Sequence, residues 1–457
     1  MRPESPTWVA IQQLSVRGLV AVKFLVVARI LGPNSIGEVV VALVTISVAE
    51  ALTQIGLEHS IIQTRDRLSV DRQNAAWTMQ FARGLLIALA LLLGSGPIAG
   101  IFGSPESARL VAFSALIPFL RNTLSIGYAY AQRDRRFRPI GISNLSSAVI
   151  DVLATAALIV AGLGVTGVIL GTVAGEAVRF ALSYVLFPVK VRLTWRPSEI
   201  PDLLRYGRWI WASGLIVAAL DQVDKAVIGI WLGVQELGLY QMAGRLSQLL
   251  SAEFGLVFGR YLFPTISEAH RNDPALATAL VSHSVTLTIH FALVVILGME
   301  TVGSDLVIAF LGAEWEPMLV YLRVLLFAMA ASGLNSILAA YLRAVGRPST
   351  VAIATAAQLL LALVFYVTFG SLWQGIGIAI ATALSTIAST VMLYFMAGRL
   401  SIAPVTVPLA LISVAAILAA HIFPAMNLPA LAAAVILAVL IARGYWRVSI
   451  RALVNVG

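Results

Sequence analysis

The stretch RGLVAVKFLVVARILG, residues 17–32, places three cations in an otherwise apolar run that extends over residues 10–31. A transmembrane helix needs about 20 mostly apolar residues, so this run is long enough to span a membrane. Arg17 and Arg29 lie near the ends of the run, where a long side chain can reach the membrane interface. Lys23 lies roughly 13 Å from the C-terminal end of the stretch at about 1.5 Å per residue. A cation at that depth is costly, so we expect Lys23 to face a wet cavity or a counter-ion.

The composition of the whole chain is that of a membrane protein. Its 457 residues are 59% hydrophobic and 12% charged, whereas soluble domains average about 25% charged residues. The chain has no cysteine, which excludes disulfides and thiolate chemistry, and its five histidines have no metal-binding spacing. We therefore expect no metal or other cofactor. The net charge of +9 lies largely in loops between apolar runs, which indicates membrane orientation and not nucleic-acid binding.

Apolar runs of spanning length recur along the chain, and they predict an all-α polytopic membrane protein with about 14 transmembrane helices. The predicted helices lie near 10–31, 37–62, 75–98, 107–131, 139–162, 164–188, 205–232, 238–262, 277–299, 317–343, 349–370, 374–397, 404–423 and 428–446. Arginines concentrate in the loops after even-numbered helices, whereas the loop near 299–316 is acidic. The positive-inside rule therefore predicts that both termini lie in the cytoplasm.

Two kinds of turn recur at a nearly constant spacing, which indicates an internal repeat. LGPNSIG at 31–37 matches LGVQELG at 232–238 with an offset of 201 residues. LGVTGV at 163–168 resembles WQGIGI at 373–378 with an offset of 210 residues. Each repeat contains an even number of predicted helices, so both copies enter the membrane in the same direction.

The repeat predicts two pseudo-symmetric six-helix lobes around a central cavity. The first lobe covers residues 1–198 and the second covers residues 199–400, with a C-terminal helix pair and tail at 401–457. Parallel repeats of this kind occur in transporters, where the substrate binds between the lobes near the middle of the membrane.

Charged residues in the middle of predicted helices mark the candidate site, because such groups need a wet cavity or a partner. In the first lobe the cations are Lys23, Arg83, Arg121 and Arg179, and the anions are Glu50, Asp151 and Glu176. Cations outnumber anions, which favours a substrate with an anionic group, since arginine and lysine both bind phosphate oxygens. An ion pair with a purely structural role is the alternative for Glu176 and Arg179, which lie three residues apart.

The seventh predicted helix carries the densest group of charges, in ALDQVDKAVIG at 219–229. Asp221 and Lys225 lie four residues apart and can pair, and Asp224 lies on the same helical face. A carboxylate beside a lysine can exchange partners as its protonation changes. We therefore expect this group to form a cavity ion pair or to couple transport to H⁺ or Na⁺.

The sequence resembles the polysaccharide-transport (Wzx-like) oligosaccharide flippases of the multidrug/oligosaccharidyl-lipid/polysaccharide exporter superfamily. The resemblance is carried by ARILGPNSIGEVVVALVTISVAEALTQIGLEHSIIQTRD at 28–66, LDQVDKAVIGIWLGVQELGLYQMAGRLSQLL at 220–250 and FPTISEA at 263–269. It implies two six-helix lobes that alternate between inward-open and outward-open forms. It also implies transfer of undecaprenyl-diphosphate-linked oligosaccharides from the cytoplasmic to the periplasmic leaflet.

The same resemblance implies that basic residues in the cavity hold the diphosphate or acidic sugars of the substrate. We expect this role for Lys23 first, and then for Arg83, Arg121, Arg179 and Arg245. The expected partners are a polyprenyl-diphosphate-linked oligosaccharide, membrane lipids and the glycan polymerase and export machinery.

Three other functions remain open from the sequence, and one of them is a flippase for the peptidoglycan precursor. A drug or metabolite antiporter of the same superfamily, similar to the multidrug and toxin extrusion (MATE) proteins, would have a similar pattern of helices. A polysaccharide polymerase or ligase would be an enzyme, and its chemistry needs an external loop with catalytic groups. The loop near 299–316 is short and has no nucleophile and base arrangement, so we expect a protein that is not an enzyme.

Overall fold

The computed structural model describes residues 6–54, 69–134, 136–194, 200–398, 400 and 406, and every regular element in this part of the chain is helical. The α-helices are α1 (Pro6–Thr53), α2 (Val70–Ile101), α3 (Ser107–Ser114), α4 (Leu116–Asn122), α5 (Gly127–Arg133), α6 (Phe137–Leu158), α7 (Gly164–Leu186), α8 (Ile200–Leu232), α9 (Val234–Ser247), α10 (Glu253–Asn272), α11 (Pro274–Gly298), α12 (Ser304–Leu311), α13 (Met318–Ala344) and α14 (Pro348–Ala397). Short π-helical segments lie at Ile159–Leu163, Gln248–Ala252 and Met299–Gly303, and a 3₁₀ turn lies at Ala313–Trp315. The predicted all-α class is confirmed for the described residues.

The two longest helices each contain two predicted membrane spans. Helix α14 has 50 residues, which at about 1.5 Å per residue is more than twice the roughly 30 Å of a bilayer core. It is broken at Trp373 and Gln374, whose backbone is not helical. Helix α1 is broken in the same way at Gly32, with φ 76°. The break at Gly32 falls between the predicted helices 10–31 and 37–62, and the break at Trp373 and Gln374 falls at the start of the predicted helix 374–397.

The protein is a multi-pass membrane protein. Six helical stretches in the described part of the chain are long and apolar enough to cross a membrane, and a bent pair of shorter helices makes a seventh. Three of the six stretches have 42, 50 and 50 residues, and each contains backbone that is not helical, at Gly32, at Gly162 and at Trp373 and Gln374. The total of 14 helices stays a prediction, because the predicted helices at 404–423 and 428–446 lie outside the described residues, apart from Thr406.

The predicted fourth helix, 107–131, is broken in the structure. Its segments Ser107–Asn122 and Gly127–Arg133 meet at an angle of 58°. Irregular backbone inside a membrane protein needs replacement hydrogen bonds, and residues that follow one another at the end of α7 supply them. Ser183 Oγ accepts from the Ser125 backbone N–H at 3.0 Å, and Tyr184 donates its hydroxyl to the Thr123 carbonyl at 2.8 Å. The break is therefore built into the fold.

Backbone geometry at matching positions supports the internal repeat. Gly164 has φ 50° and ψ −126°, and Gln374, which is 210 residues later, has φ 51° and ψ −131°. Gly37 and Gly238, which are 201 residues apart, approach each other so closely that a side chain at either would overlap the other segment's backbone. Only glycine allows two backbones to meet in this way.

The chain divides into two compact units, Met1–Gly238 and Leu239–Gly457. The core of the second unit contains buried residues from α10, α11, α13 and α14, among them Ile266, Leu280, Leu338 and Leu393. Most of the charged residues expected at the candidate site belong to the first unit. The predicted lobe boundary between residues 198 and 199 stays a prediction.

Candidate functional site

Lys23 lies in the first half of α1 and forms a buried ion pair. Its ammonium group contacts Asp151 Oδ1 on α6 at 2.5 Å and donates to Thr172 Oγ1 on α7 at 3.0 Å. Thr155, one turn further along α6, donates to the same Asp151 oxygen at 3.4 Å. The side chains of Lys23 and Asp151 are only 11% and 17% exposed. The lysine therefore has the counter-ion that its depth requires, and it joins α1 to the α6–α7 pair.

Small residues on α7 bring Asp151 within reach of Lys23. Gly171 and Gly175 are four residues apart on the helix face that meets α6. A side chain at Gly171 would overlap Thr155, and one at Gly175 would lie 2.8 Å from the Asp151 Cβ atom. Small residues at this spacing let membrane helices pack closely. The charge pair thus depends on glycines that carry no charge themselves.

A second group of charged side chains, here called the ion cluster, consists of Glu50, Arg121, Glu176 and Arg179. Arg121 Nε donates to Glu176 Oε1 at 2.8 Å, and Arg121 Nη1 lies 3.8 Å from Glu50 Oε2. Arg179 Nη1 lies 3.7 Å from Glu176 Oε2, three residues earlier on the same helix. The Glu176 carboxylate therefore lies between two guanidinium groups, with one oxygen facing each.

The members of the ion cluster differ in exposure. The Arg121 side chain is 39% exposed and the Arg179 side chain is 28% exposed, whereas the Glu176 side chain is only 9% exposed. The buried atoms Glu176 Oε2 and Arg179 Nε have no hydrogen-bond partner in the described residues. The cluster thus has unused hydrogen-bonding capacity beside an accessible arginine.

Tyr128, at the start of α5, holds the other side of Arg179. The Arg179 guanidinium lies 5.5 Å from the centre of the Tyr128 ring, and its Nη2 atom donates to the tyrosine hydroxyl at 3.4 Å. That hydroxyl donates in turn to Asn144 Oδ1 at 3.0 Å. The break between α4 and α5 places Arg121 before it and Tyr128 after it, so one irregular segment positions both contacts.

Arg83 on α2 binds the ends of two helices. Its Nη2 atom donates to the Glu50 carbonyl at 2.8 Å and its Nε atom donates to Thr53 Oγ1 at 3.1 Å, both in the last turn of α1. Its Nη1 atom donates to Asn122 Oδ1, at the end of α4, at 2.9 Å. The last carbonyls of a helix have no partner within the helix. Arg83 therefore acts in this structure as a helix-capping residue.

The charges of α8 form a local group. Lys225 Nζ lies 3.2 Å from Asp224 Oδ1 and also donates to the backbone carbonyl of Asp221. The Lys225 backbone N–H donates to the same Asp224 oxygen at 2.8 Å. Asp224 is buried, whereas Asp221 is exposed. The predicted contact between Lys225 and Asp221 is made through the Asp221 backbone, and the lysine lies beside the Asp224 carboxylate.

Arg245, the remaining predicted cation, lies in the last turn of α9 and belongs to the second unit. Its side chain is exposed. Its role in binding substrate stays a prediction. In the described residues no group of three or more His, Asp or Glu side chains is arranged to hold a metal ion.

Sequence reasoning missed the polar groups that position these charges. Thr172 and Tyr128 bind Lys23 and Arg179 directly, and Asn122 binds Arg83. A polar stretch within the predicted fourth helix, NTLSIG at 122–127, is a signal that could have indicated the break. The pairing of Asp151 with Lys23 had no such signal, because 128 residues separate the two partners.

Comparison with known proteins agrees with this architecture. A family model described as "Polysaccharide biosynthesis protein" matches residues 26–320. The lipopolysaccharide biosynthesis protein WzxC of Escherichia coli (strain K12) is 24% identical over 413 residues, which cover 85% of this chain and 79% of WzxC. The succinoglycan biosynthesis transport protein ExoT of Rhizobium meliloti (strain 1021) is 22% identical over 313 residues, which cover 67% of this chain and 62% of ExoT.

Solved structures share the fold. The lipid II flippase MurJ in an inward closed conformation superposes with a TM-score of 0.76 at 16% identity, covering 97% of this chain and all of that one. An inward-facing multidrug resistance MATE family transporter superposes with a TM-score of 0.63 at 16% identity, covering 85% of this chain and 95% of that one. The family match extends over well over half of the sequence and includes Lys23's partner Asp151, the ion cluster and the α8 charges. The chain belongs to the polysaccharide biosynthesis protein family.

Proposed function

We propose that the chain is a flippase that moves a polyprenyl-diphosphate-linked oligosaccharide from the cytoplasmic to the periplasmic leaflet of the bacterial inner membrane. Its product would serve the biosynthesis of a surface polysaccharide such as an exopolysaccharide, a capsule or an O-antigen. The names of the relatives support this proposal, since they include a succinoglycan biosynthesis transport protein and a probable glycan biosynthesis flippase of Haloferax volcanii. The fold shared with a lipid II flippase is consistent with it.

The observation that carries the proposal is the ion cluster together with Arg83. These five side chains contain three arginines and two glutamates, so the group has a net positive charge. Arg121 and Arg179 are partly exposed and present guanidinium groups, which bind phosphate oxygens with two parallel hydrogen bonds. We infer that they bind the diphosphate of the substrate. Lys23 contributes positive charge nearby when its pairing with Asp151 changes.

The wider mechanism rests on the internal repeat. We infer alternating access between two lobes, residues 1–198 and 199–400, with residues 401–457 as a helix pair and tail, and with both termini in the cytoplasm. The diphosphate and glycan enter the cavity while the polyprenyl tail stays in lipid. Asp221, Asp224 and Lys225 would couple the cycle to H⁺ or Na⁺, because carboxylates beside a lysine respond to protonation or to a bound cation. A glycan polymerase would take up the product.

Complementation tests the function. The gene is expressed in a strain that lacks its own flippase and accumulates lipid-linked glycan on the cytoplasmic side. We expect the parent chain to restore surface polysaccharide, and Arg121→Gln combined with Arg179→Gln to abolish that restoration at equal membrane abundance. If no glycan is restored but the cells become resistant to cationic drugs, the protein is an antiporter. New glycosidic bonds formed by the purified protein would instead indicate a polymerase.

A further inference from the structure

Glu176 occupies the place between the two arginines where a phosphate group of the substrate would bind. One carboxylate oxygen accepts from Arg121 Nε at 2.8 Å and the other lies 3.7 Å from Arg179 Nη1. A phosphate that bridged the same two guanidinium groups would use the same donors. Resident carboxylate and incoming phosphate therefore cannot both bind these arginines in full.

We propose that Glu176 is a resident counter-ion that competes with the substrate's diphosphate for Arg121 and Arg179, and that this competition drives release of the head group. The inference rests on the proposed function and names a positioning residue within it. In the empty state Glu176 holds both arginines. A diphosphate displaces the carboxylate because the diphosphate carries more negative charge. Glu176 binds the arginines again when the head group leaves.

Burial of Glu176 makes this competition strong. Its side chain is 9% exposed, so its attraction to the arginines is less screened than that of a surface carboxylate. Arg121, in contrast, is 39% exposed and open to a ligand. The buried Glu176 Oε2 atom has no hydrogen-bond partner in the described residues. Buried polar atoms are usually paired, so this contact is incomplete and can be exchanged.

Glu50 provides a second carboxylate that contacts Arg121 during the exchange. Glu50 Oε2 lies 3.8 Å from Arg121 Nη1, whereas the close contact with Glu176 is made by Arg121 Nε. Arg179 keeps its contacts with the ring and hydroxyl of Tyr128. The two guanidinium groups therefore stay in place while the carboxylate between them is exchanged, which is the arrangement that reversible binding needs.

The competition predicts that removing the charge of Glu176 strengthens anion binding. A site whose competent form is present about a tenth of the time binds about tenfold more weakly than the free site. We therefore expect Glu176→Gln to bind inorganic pyrophosphate and farnesyl diphosphate about tenfold more tightly than the parent chain. Glycan export should fall, since release becomes slow.

The test uses the purified full-length protein in detergent, with binding of the two diphosphates measured by calorimetry. Glu268→Gln is the matched control, because it removes the same charge from an exposed position on α10 outside the ion cluster. It should leave diphosphate binding at the parent level. Glu176→Asp, whose shorter side chain lies further from the arginines, should give an intermediate increase. If Glu176→Gln does not fold, the aspartate variant decides the question on its own.

The outcomes separate this inference from the proposed function. In one outcome the parent chain binds diphosphate, Arg121→Gln loses this binding, and the Glu176 variants bind equally or more weakly than the parent. This outcome overturns the competition and leaves the flippase proposal intact. A parent chain that binds neither diphosphate overturns both the competition and the proposed anion site. Tighter binding in both Glu176 variants combined with reduced export supports the inference, because a merely structural role of Glu176 would not increase affinity.

Discussion

At the scale of single residues, the arginines of the first unit differ in what they already bind. Arg83 donates to two helix ends through all three nitrogen groups of its side chain, whereas Arg121 is partly exposed and faces a carboxylate that can be displaced. Formal charge alone does not separate these roles. The bound partners do: Arg83 is engaged at two helix ends, which predicts a role in stability, whereas the partly exposed Arg121 is the better candidate for binding the proposed substrate.

This difference predicts opposite phenotypes for two similar substitutions. Arg83→Gln should lower the melting temperature of the purified protein by several degrees, since hydrogen bonds from a charged group contribute about 1.5–3 kcal/mol each. Arg121→Gln should lower the melting temperature less, because Arg179 still faces the Glu176 carboxylate, and it should reduce glycan export severely. Thermal unfolding in detergent and the complementation assay measure the two effects. A stable Arg83→Gln variant that exports no glycan would contradict the assignment.

The Lys23 and Asp151 pair predicts a strong coupling between two substitutions. Removing one partner of a buried ion pair costs about 3–5 kcal/mol, because the other charge is left without compensation. Lys23→Met and Asp151→Asn should therefore each reduce stability, and the double variant should be more stable than the sum of the two losses predicts. A double-mutant cycle on the free energy of unfolding measures this coupling. Simply additive losses would show that the two charges act independently.

Export in these variants tests a separate prediction about Lys23. Lys23→Ala should impair glycan export if the lysine also meets the anionic head group. The double variant Lys23→Met with Asp151→Asn removes both charges of the pair, so it leaves no unpaired charge and no cation. It therefore separates the structural role of Lys23 from a role in binding the head group. Normal export in the double variant would mean that Lys23 has only a structural role.

At the scale of helices, the break in α1 and the break between α4 and α5 show what a sequence can and cannot predict. LGPNSIG contains the glycine and proline that end a helix, so the break at Gly32 was predicted at the right place. The break between α4 and α5 was not predicted: the polar stretch NTLSIG is its local signal, but the hydrogen bonds that stabilise it come from Ser183 and Tyr184, about 60 residues later. Residues that end a helix can be recognised in a sequence, whereas hydrogen-bond partners from distant parts of the chain cannot.

The candidate site has the same limit. The sequence identified Lys23, Arg121, Glu176 and Arg179 as charges that need partners, because a charged residue inside an apolar predicted helix can be recognised without knowing how the helices pack. Which cation meets which anion depends on how α1, α4 and α7 pack. The pairing of Lys23 with Asp151, and the capping role of Arg83, therefore required the structure.

The repeat predicts the effect of exchanging residues at two matching turns. Gln374 has φ 51° and is the only residue other than glycine with positive φ in the described chain, whereas its repeat equivalent is Gly164. A residue with a side chain in such a conformation is strained by about 1–3 kcal/mol. Gln374→Gly should therefore raise the melting temperature, and Gly164→Gln should lower it. A lower melting temperature for Gln374→Gly would show that the glutamine side chain makes a compensating contact.

At the scale of the whole molecule, the direction of the two repeats determines which symmetry axis relates the two lobes. Parallel repeats are related by an axis along the membrane normal, whereas inverted repeats are related by an axis in the membrane plane. Arg138, in the first turn of α6, and Arg347, just before α14, lie 209 residues apart at matching positions of the two repeats, and both positions carry positive charge. The positive-inside rule predicts that both positions lie on the cytoplasmic side, which would make the repeats parallel.

The absence of cysteine makes this topology directly testable. Single cysteines are introduced by Asp134→Cys and Arg347→Cys, in loops predicted to be cytoplasmic, and by Glu314→Cys, in a loop predicted to be periplasmic. All three positions are exposed. A membrane-impermeant maleimide should label only the Glu314 variant in spheroplasts, and it should label the other two after the inner membrane is permeabilised. Asp134→Cys and Arg347→Cys must behave alike if the repeats are parallel. Labelling of these two variants from opposite sides would mean inverted repeats, and the inferred six-helix lobes and cytoplasmic termini would then be wrong.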